Sequence, residues 1–339
     1  MSDQQTLLLQ KATFAEAATQ DKDIDLSLLK DCAFVETIDL SGPRLIMTMD
    51  DRFSVVRNAM GVKVGSVINC ILSTAAYDAL SPLTFQADFQ VMSMPVNGDL
   101  VTINLLQKEI ADLKIPSKKS MLFTKLSGQS IESIIKKLAP GFVYDPISGA
   151  LLNDYHLLPG DRPSMVLRQL AIEHGAMIYA FRGKICFKKM SDLYQQTTNV
   201  VFQYKMPSAD FQVVTYKHLN SDALVSDRVN RKLFGFNLID GLIQATRNTD
   251  YPAEWSHYDN SETMNNVTTI ALPVLDIITF GTGSLGPGLP INFAWNMDYS
   301  FNDSFSDESL PKSAVIGNVS HYTSGAMNYY CRLKALVPM

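Results

Sequence analysis

Residues 160–189 read GDRPSMVLRQLAIEHGAMIYAFRGKICFKK, and two hydrophobic periods follow one another inside this stretch. From Pro163 onward, Val166, Leu167, Leu170 and Ala171 recur at helical spacing, which gives one apolar face. Pro163 suits a first turn, where a missing N–H costs nothing. Gly175 stands where a helix ends in a left-handed cap. Ala176 to Phe181 and Lys184 to Lys188 then flank Arg182-Gly183, a two-residue loop that predicts a hairpin. The stretch therefore predicts an αββ unit.

Upstream of it, Ser127-Gly-Gln-Ser130 precedes Ile131, Ile134, Ile135 and Leu138, an amphipathic helix with Ser130 as its N-cap and Pro140-Gly141 as its stop. Earlier still the pattern turns to β. Leu45, Met47 and Met49 alternate, Val64 to Leu72 is rich in Val and Ile, and Phe85 to Met94 and Leu100 to Leu106 flank Asn97-Gly98. Phe53 to Met60 predicts a short helix stopped by Gly61. Downstream, Phe234 to Ile239 and Leu242 to Ala245 flank Asp240-Gly241. Thr268 to Phe280 is an apolar run broken by Pro273, and Ser320 to Tyr322 with Tyr329 to Val337 predict a C-terminal hairpin. No repeat aligns between the first and last regions, so a solenoid or propeller has no support.

A chain of 339 residues suffices for two or three domains. Its 46% apolar content is too high for a disordered protein, and its 19% charged content is below the ~25% usual for soluble chains, which points to surface spent on partners. The net charge of −5 argues against a general grip on nucleic acid. That charge is segregated: 8 basic and 15 acidic residues in 1–113, 12 and 5 in 114–190, 9 and 14 in 191–339. The opening MSDQQTLLLQ lacks the layout of a secretory signal, and no apolar run is long enough to predict a membrane-spanning helix. Cys32, Cys70, Cys186 and Cys331 are far apart, as expected of buried small hydrophobes in a reducing compartment.

Few residues carry chemistry. Gly281-Thr-Gly283-Ser-Leu-Gly286 matches a dinucleotide-binding spacing, but Pro287-Gly288-Leu289-Pro290 cannot open the helix that such a site needs, so a loop is expected. His156, His174, His218, His257 and His321 show no metal-binding spacing. Asp303, Asp307 and Glu308 form an acidic loop without calcium-loop spacing. No G-x-S-x-G occurs, and no catalytic residue, cofactor or metal is expected. Lys114, Lys118, Lys119, Lys125, Lys136 and Lys137 are the strongest charge feature, read as an electrostatic patch for an acidic partner or an acidic region of a neighbouring copy.

The order of the pieces resembles a known family. Leu40-Ser-Gly-Pro43-Arg44-Leu45, Val64-Gly65-Ser-Val67, Leu113-Lys-Ile-Pro-Ser117, Ser127-Gly-Gln-Ser-Ile131 and the Gly160 to Gly175 helix leading into the Arg182-Gly183 hairpin are similar to the central baseplate hub proteins of contractile-tailed bacteriophages. Late-control gene D proteins and the N-terminal part of VgrG spikes belong to that wider family. The resemblance implies a mainly β, α+β chain: a tube-like β-barrel over 1–115, an α/β middle domain over 116–190, and a second tube-like barrel over 191–339. It also implies a homotrimeric ring that adapts a six-fold tail tube to a three-fold central spike and lets DNA pass without specific binding. Partners would be the tube protein, the spike, baseplate wedge proteins and the tape measure, in a virion tail assembled in the host cytoplasm. The family supplies no catalytic residue. As the chain stops at Met339, any puncturing or wall-cutting activity is expected on another chain.

Two alternatives stand beside this. Gly160-Asp161-x-x-Ser164 before a helix resembles peptidoglycan-binding LysM repeats over about 20 residues, although a hairpin follows here. A wall hydrolase component has no residue to stand on.

Overall fold

The structure is a computed structural model, and it describes residues 6–14, 22–74, 83–206, 209–219, 232–245, 253–295, 309–324 and 328–338. Strand makes up 49% and helix 17%, so the mainly β reading with an α/β insert holds. The acidic loop of Asp303, Asp307 and Glu308 lies outside the described residues.

Alternation builds the first half. In Arg44–Asp50 the residues Leu45, Met47 and Met49 are fully buried while their neighbours are not, so one face is committed to a core. Six strands are ordered Leu8–Phe14, Val67–Ser73, Thr84–Ser93, Leu100–Gln107, Arg44–Asp50, Leu29–Thr37, and all contribute to one core with Phe34 and Phe89 at its centre. The Asn97-Gly98 reversal forms as expected, with Gly98 at φ 60°. The short helix expected after Phe53 forms over Val55–Ala59, wound wider than an α-helix as a π-helix. The buried Asp51 carboxylate explains it: Oδ1 accepts from the Val56 N–H and Oδ2 from Arg57 Nε, which fixes the turn from inside.

The second half closes on itself. Ser313–Ser324, Pro290–Trp295, Val201–Tyr204, Phe211–His218, Ala271–Phe280 and Asn328–Pro338 pair in sequence, and the last pairs again with the first to complete a six-strand barrel. Pro273, which has no N–H to donate, sits at a register shift in its strand. The two halves are joined edge to edge. Leu29–Thr37 pairs antiparallel with Ser313–Ser324 over seven residue pairs, from Thr37 with Asn318 to Asp31 with Ser324. The Asp240-Gly241 reversal is wider than a two-residue loop, with Leu238, Ile239 and Asp240 at its tip between Lys232–Asn237 and Gly241–Gln244.

The middle segment holds α2 (Ile131–Leu138) and α3 (Pro163–Glu173); α1 (Lys108–Asp112) leads into it, α4 (Met190–Gln195) leads out of it, and α5 (Ser261–Val267) lies in the last region. Ser130 caps α2 by accepting from the Ser133 N–H. Ile131, Ile134, Ile135 and Leu138 from α2 meet Val166, Leu167, Leu170 and Ala171 from α3 in one core with the hairpin residues Ile178 and Ile185. Each such aliphatic side chain contributes about 1.5–3 kcal/mol by leaving water. Gly175 ends α3 at φ 58°, and Arg182 and Gly183 turn the hairpin at φ 46° and 82°. Among the described residues no helix is long and apolar enough to cross a membrane.

Candidate functional site

The six candidate lysines are divided by the fold. Lys125 Nζ pairs with Asp259 at 3.2 Å, reaching from the middle segment to the last region. Lys136 pairs with Glu132 one turn back on α2 at 2.6 Å and lies over the Tyr144 ring. Lys137 lies over Phe123, 5.7 Å from the ring centre. Lys125 and Lys136 are thus compensated within the chain.

Lys114, Lys118 and Lys119 join arginines that are remote in sequence. The Ser164 N–H donates to the Leu113 carbonyl at 3.0 Å, which sets Lys114 against the start of α3. Ser117 N–H donates to Asp161 O at 2.7 Å and Gly160 N–H to Ser117 O at 2.8 Å, so the Lys118-Lys119 loop lies beside Arg162. Gln107 N–H donates to Pro43 O at 3.0 Å, and Arg44 pairs with Leu106 just before α1, which brings Arg44 to the same place. Partial burial holds the Lys114 ammonium below its ordinary range, and the like charges of Arg44, Arg168 and Arg162 add to this, against Asp39. Asp39 is already a hydrogen-bond acceptor for Thr37 Oγ1 (2.8 Å) and the Ser41 N–H (2.9 Å). Among the described residues none of these six cations makes an ion pair. Sequence reasoning missed Arg44, Arg162 and Arg168 because strand pairing and the Ser164–Leu113 hydrogen bond gather them, and no spacing in the chain announces it.

A second constellation is buried. Glu36, on the joining strand, is 0% exposed; its Oε2 lies 3.6 Å from Arg182 Nη2 and 3.7 Å from His321 Nε2. These are ionic contacts beyond hydrogen-bond length. On its other side His321 Nδ1 is 2.7 Å from Tyr329 Oη and 3.3 Å from Cys331 Sγ. Burial works against a charged His321, but Cys331 and then Glu36 outweigh it and hold its pKa at about 9. The thiol, imidazole and carboxylate have the order of a nucleophilic triad. They are 0%, 2% and 0% exposed, so no substrate reaches the sulfur. The cluster ties all three parts of the chain together: Glu36 from the first, Arg182 from the middle hairpin, His321 from the last.

The glycine-rich 281–286 loop belongs to the same junction. No helix follows it, as expected. Arg182 Nη2 donates to the carbonyls of Gly283 and Leu285. A Cβ on Gly281 would fall 2.1 Å from the Tyr329 ring, and one on Gly286 2.3 Å from Phe181, so both glycines serve close packing. The other histidines are structural or solvated. His156 Nε2 shares a 2.8 Å hydrogen bond with Ser120, and burial, with Lys189 nearby, pushes His174 down to about 4. All four cysteines are free and buried.

The chain superposes end to end on a tail protein from Neisseria meningitidis MC58, with a TM-score of 0.63 at 10% identity over 96% of both chains. It matches the 43 kDa tail protein of prophage MuSo2 from Shewanella oneidensis with a TM-score of 0.60 at 11% identity, covering 97% of this chain and 98% of that one. The fold is that of a phage tail protein. A chain of a Francisella PdpA–VgrG complex shares the tail-protein fold more loosely, with a TM-score of 0.51 at 10% identity over 97% of this chain and 58% of the other. No family model matches the chain, and no curated protein matches it.

Proposed function

We propose that this chain is a structural hub of a contractile tail, three copies of which close into a ring between a six-fold tube and a three-fold spike. The observation that carries the reading is the match to a tail protein over 96% of both chains. The architecture supports it: a six-strand sheet and a six-strand barrel in each chain offer six β units per three copies. In this reading 1–115 and 191–339 are the two tube-like units and 116–190 fastens them. The ring contacts tube, spike, wedge and tape measure proteins, and DNA crosses its centre without a specific site. The role is non-catalytic; the Cys331–His321–Glu36 group is a structural tie.

Mass photometry and negative-stain imaging of the purified full chain test this. Three-fold rings of three times 37.6 kDa are expected. Single particles at every concentration, or cleared zones on peptidoglycan that persist through purification, would overturn it.

A further inference from the structure

We propose that the cationic face formed by Arg44, Lys114, Lys118, Lys119, Arg162 and Arg168 is where carboxylates of a second copy of this chain dock. The inference rests on the proposed assembly and assigns one of its contacts. Four backbone hydrogen bonds, Ser164 to Leu113, Ser117 to Asp161, Gly160 to Ser117 and Gln107 to Pro43, hold the segments that carry these side chains together. Arg44, Lys118, Lys119, Arg162 and Arg168 are exposed and Lys114 is half-buried. Several cations elsewhere pair with the chain's own acids, as at Lys11–Asp23, Lys188–Asp145 and Arg332–Asp276. Here Arg168 and Lys114 share the one carboxylate of Asp39, whose hydrogen bonds are taken up within its own turn. Like charges held together raise the free energy of the isolated chain, and a carboxylate-bearing surface relieves it.

The chemistry of the partner follows from charge and geometry. Three of the six are arginines, whose planar forks bind carboxylates in pairs of hydrogen bonds. The eleven-residue helix α3 begins at this face, so its positive end adds to the field. The complement is present in the same polypeptide, because residues 1–113 and 191–339 carry net charges of −7 and −5 against +7 for 114–190. A closed cyclic assembly presents two different patches of each copy to its neighbours, which a basic middle and acidic flanks satisfy.

The test is sedimentation velocity on the full chain at about 0.05 M and about 0.5 M salt, where screening lengths differ several-fold. Wild type is compared with Arg162→Glu/Arg168→Glu, and with the neutral pair Arg162→Gln/Arg168→Gln in case the reversal disturbs folding; far-UV circular dichroism and the melting temperature check each variant. The expected result is a wild-type oligomer that weakens with salt, and variants that need about tenfold or more protein to assemble while melting as wild type does. A wild-type oligomer that both variants reproduce at both salt concentrations overturns this assignment and leaves the hub reading intact. A wild type that stays single throughout removes the hub reading itself. A labelled DNA duplex is the third arm: binding that the variants lose, with assembly unchanged, assigns the face to phosphates and overturns the proposal.

Discussion

Raising the pH is expected to loosen the junction around Glu36. His321 titrates near 6.5 in the unfolded chain and at about 9 in the folded one, so the folded state holds an extra proton between these values. Stability from that proton is complete below about pH 6.5 and is lost as pH rises through about 9. Each pH unit between the two values is about 1.4 kcal/mol, which makes the contribution about 3 kcal/mol. Burial raises the Tyr329 phenol and keeps it protonated across this range. The assay is urea unfolding followed by fluorescence of the buried Trp295, at about pH 6 and about pH 9.5, for wild type and His321→Gln. Wild type should lose about 3 kcal/mol more than the variant across the interval. Two curves that fall in parallel would refute the argument. Glu36→Gln, which leaves the buried His321 and the partly buried Arg182 without this counter-charge, should cost about 3–5 kcal/mol at the lower pH.

Other outcomes follow from single contacts. Ser130→Ala removes the α2 cap and should lower stability by about 1 kcal/mol in the same urea assay. Gly286→Ala drives a Cβ to 2.3 Å from Phe181 and should cost about 1–3 kcal/mol, seen as a lower melting temperature. Burial pushes the Cys32 and Cys186 thiols up to about 12, so a thiol reagent at neutral pH should label neither until denaturant is added; prompt labelling of the native chain would contradict the packing.

Local patterns were legible where one face of an element meets one core. Leu45, Met47 and Met49 announce their strand by alternation, and Val166, Leu167, Leu170 and Ala171 announce α3, because burial on one side imposes the period. Arg182-Gly183 announces its hairpin because few residues tolerate a positive φ. What escaped the sequence depends on contacts between distant segments. The short helix at Val55–Ala59 was expected, but its π winding is set by the buried Asp51 and has no periodic signature. Glu36, Arg182 and His321 are separated by more than a hundred positions each and meet only because a strand of the first region pairs with one of the last. The lysine patch was visible as composition, but which members stay uncompensated is decided by Asp259 and Glu132, whose positions are a matter of tertiary structure.

The seven-pair ladder between Leu29–Thr37 and Ser313–Ser324 has a mechanical meaning. A load applied along those strands acts on all seven rungs together, because the pairing runs without a register shift. A push or pull delivered to one half along these strands is therefore shared by seven rungs where it crosses to the other.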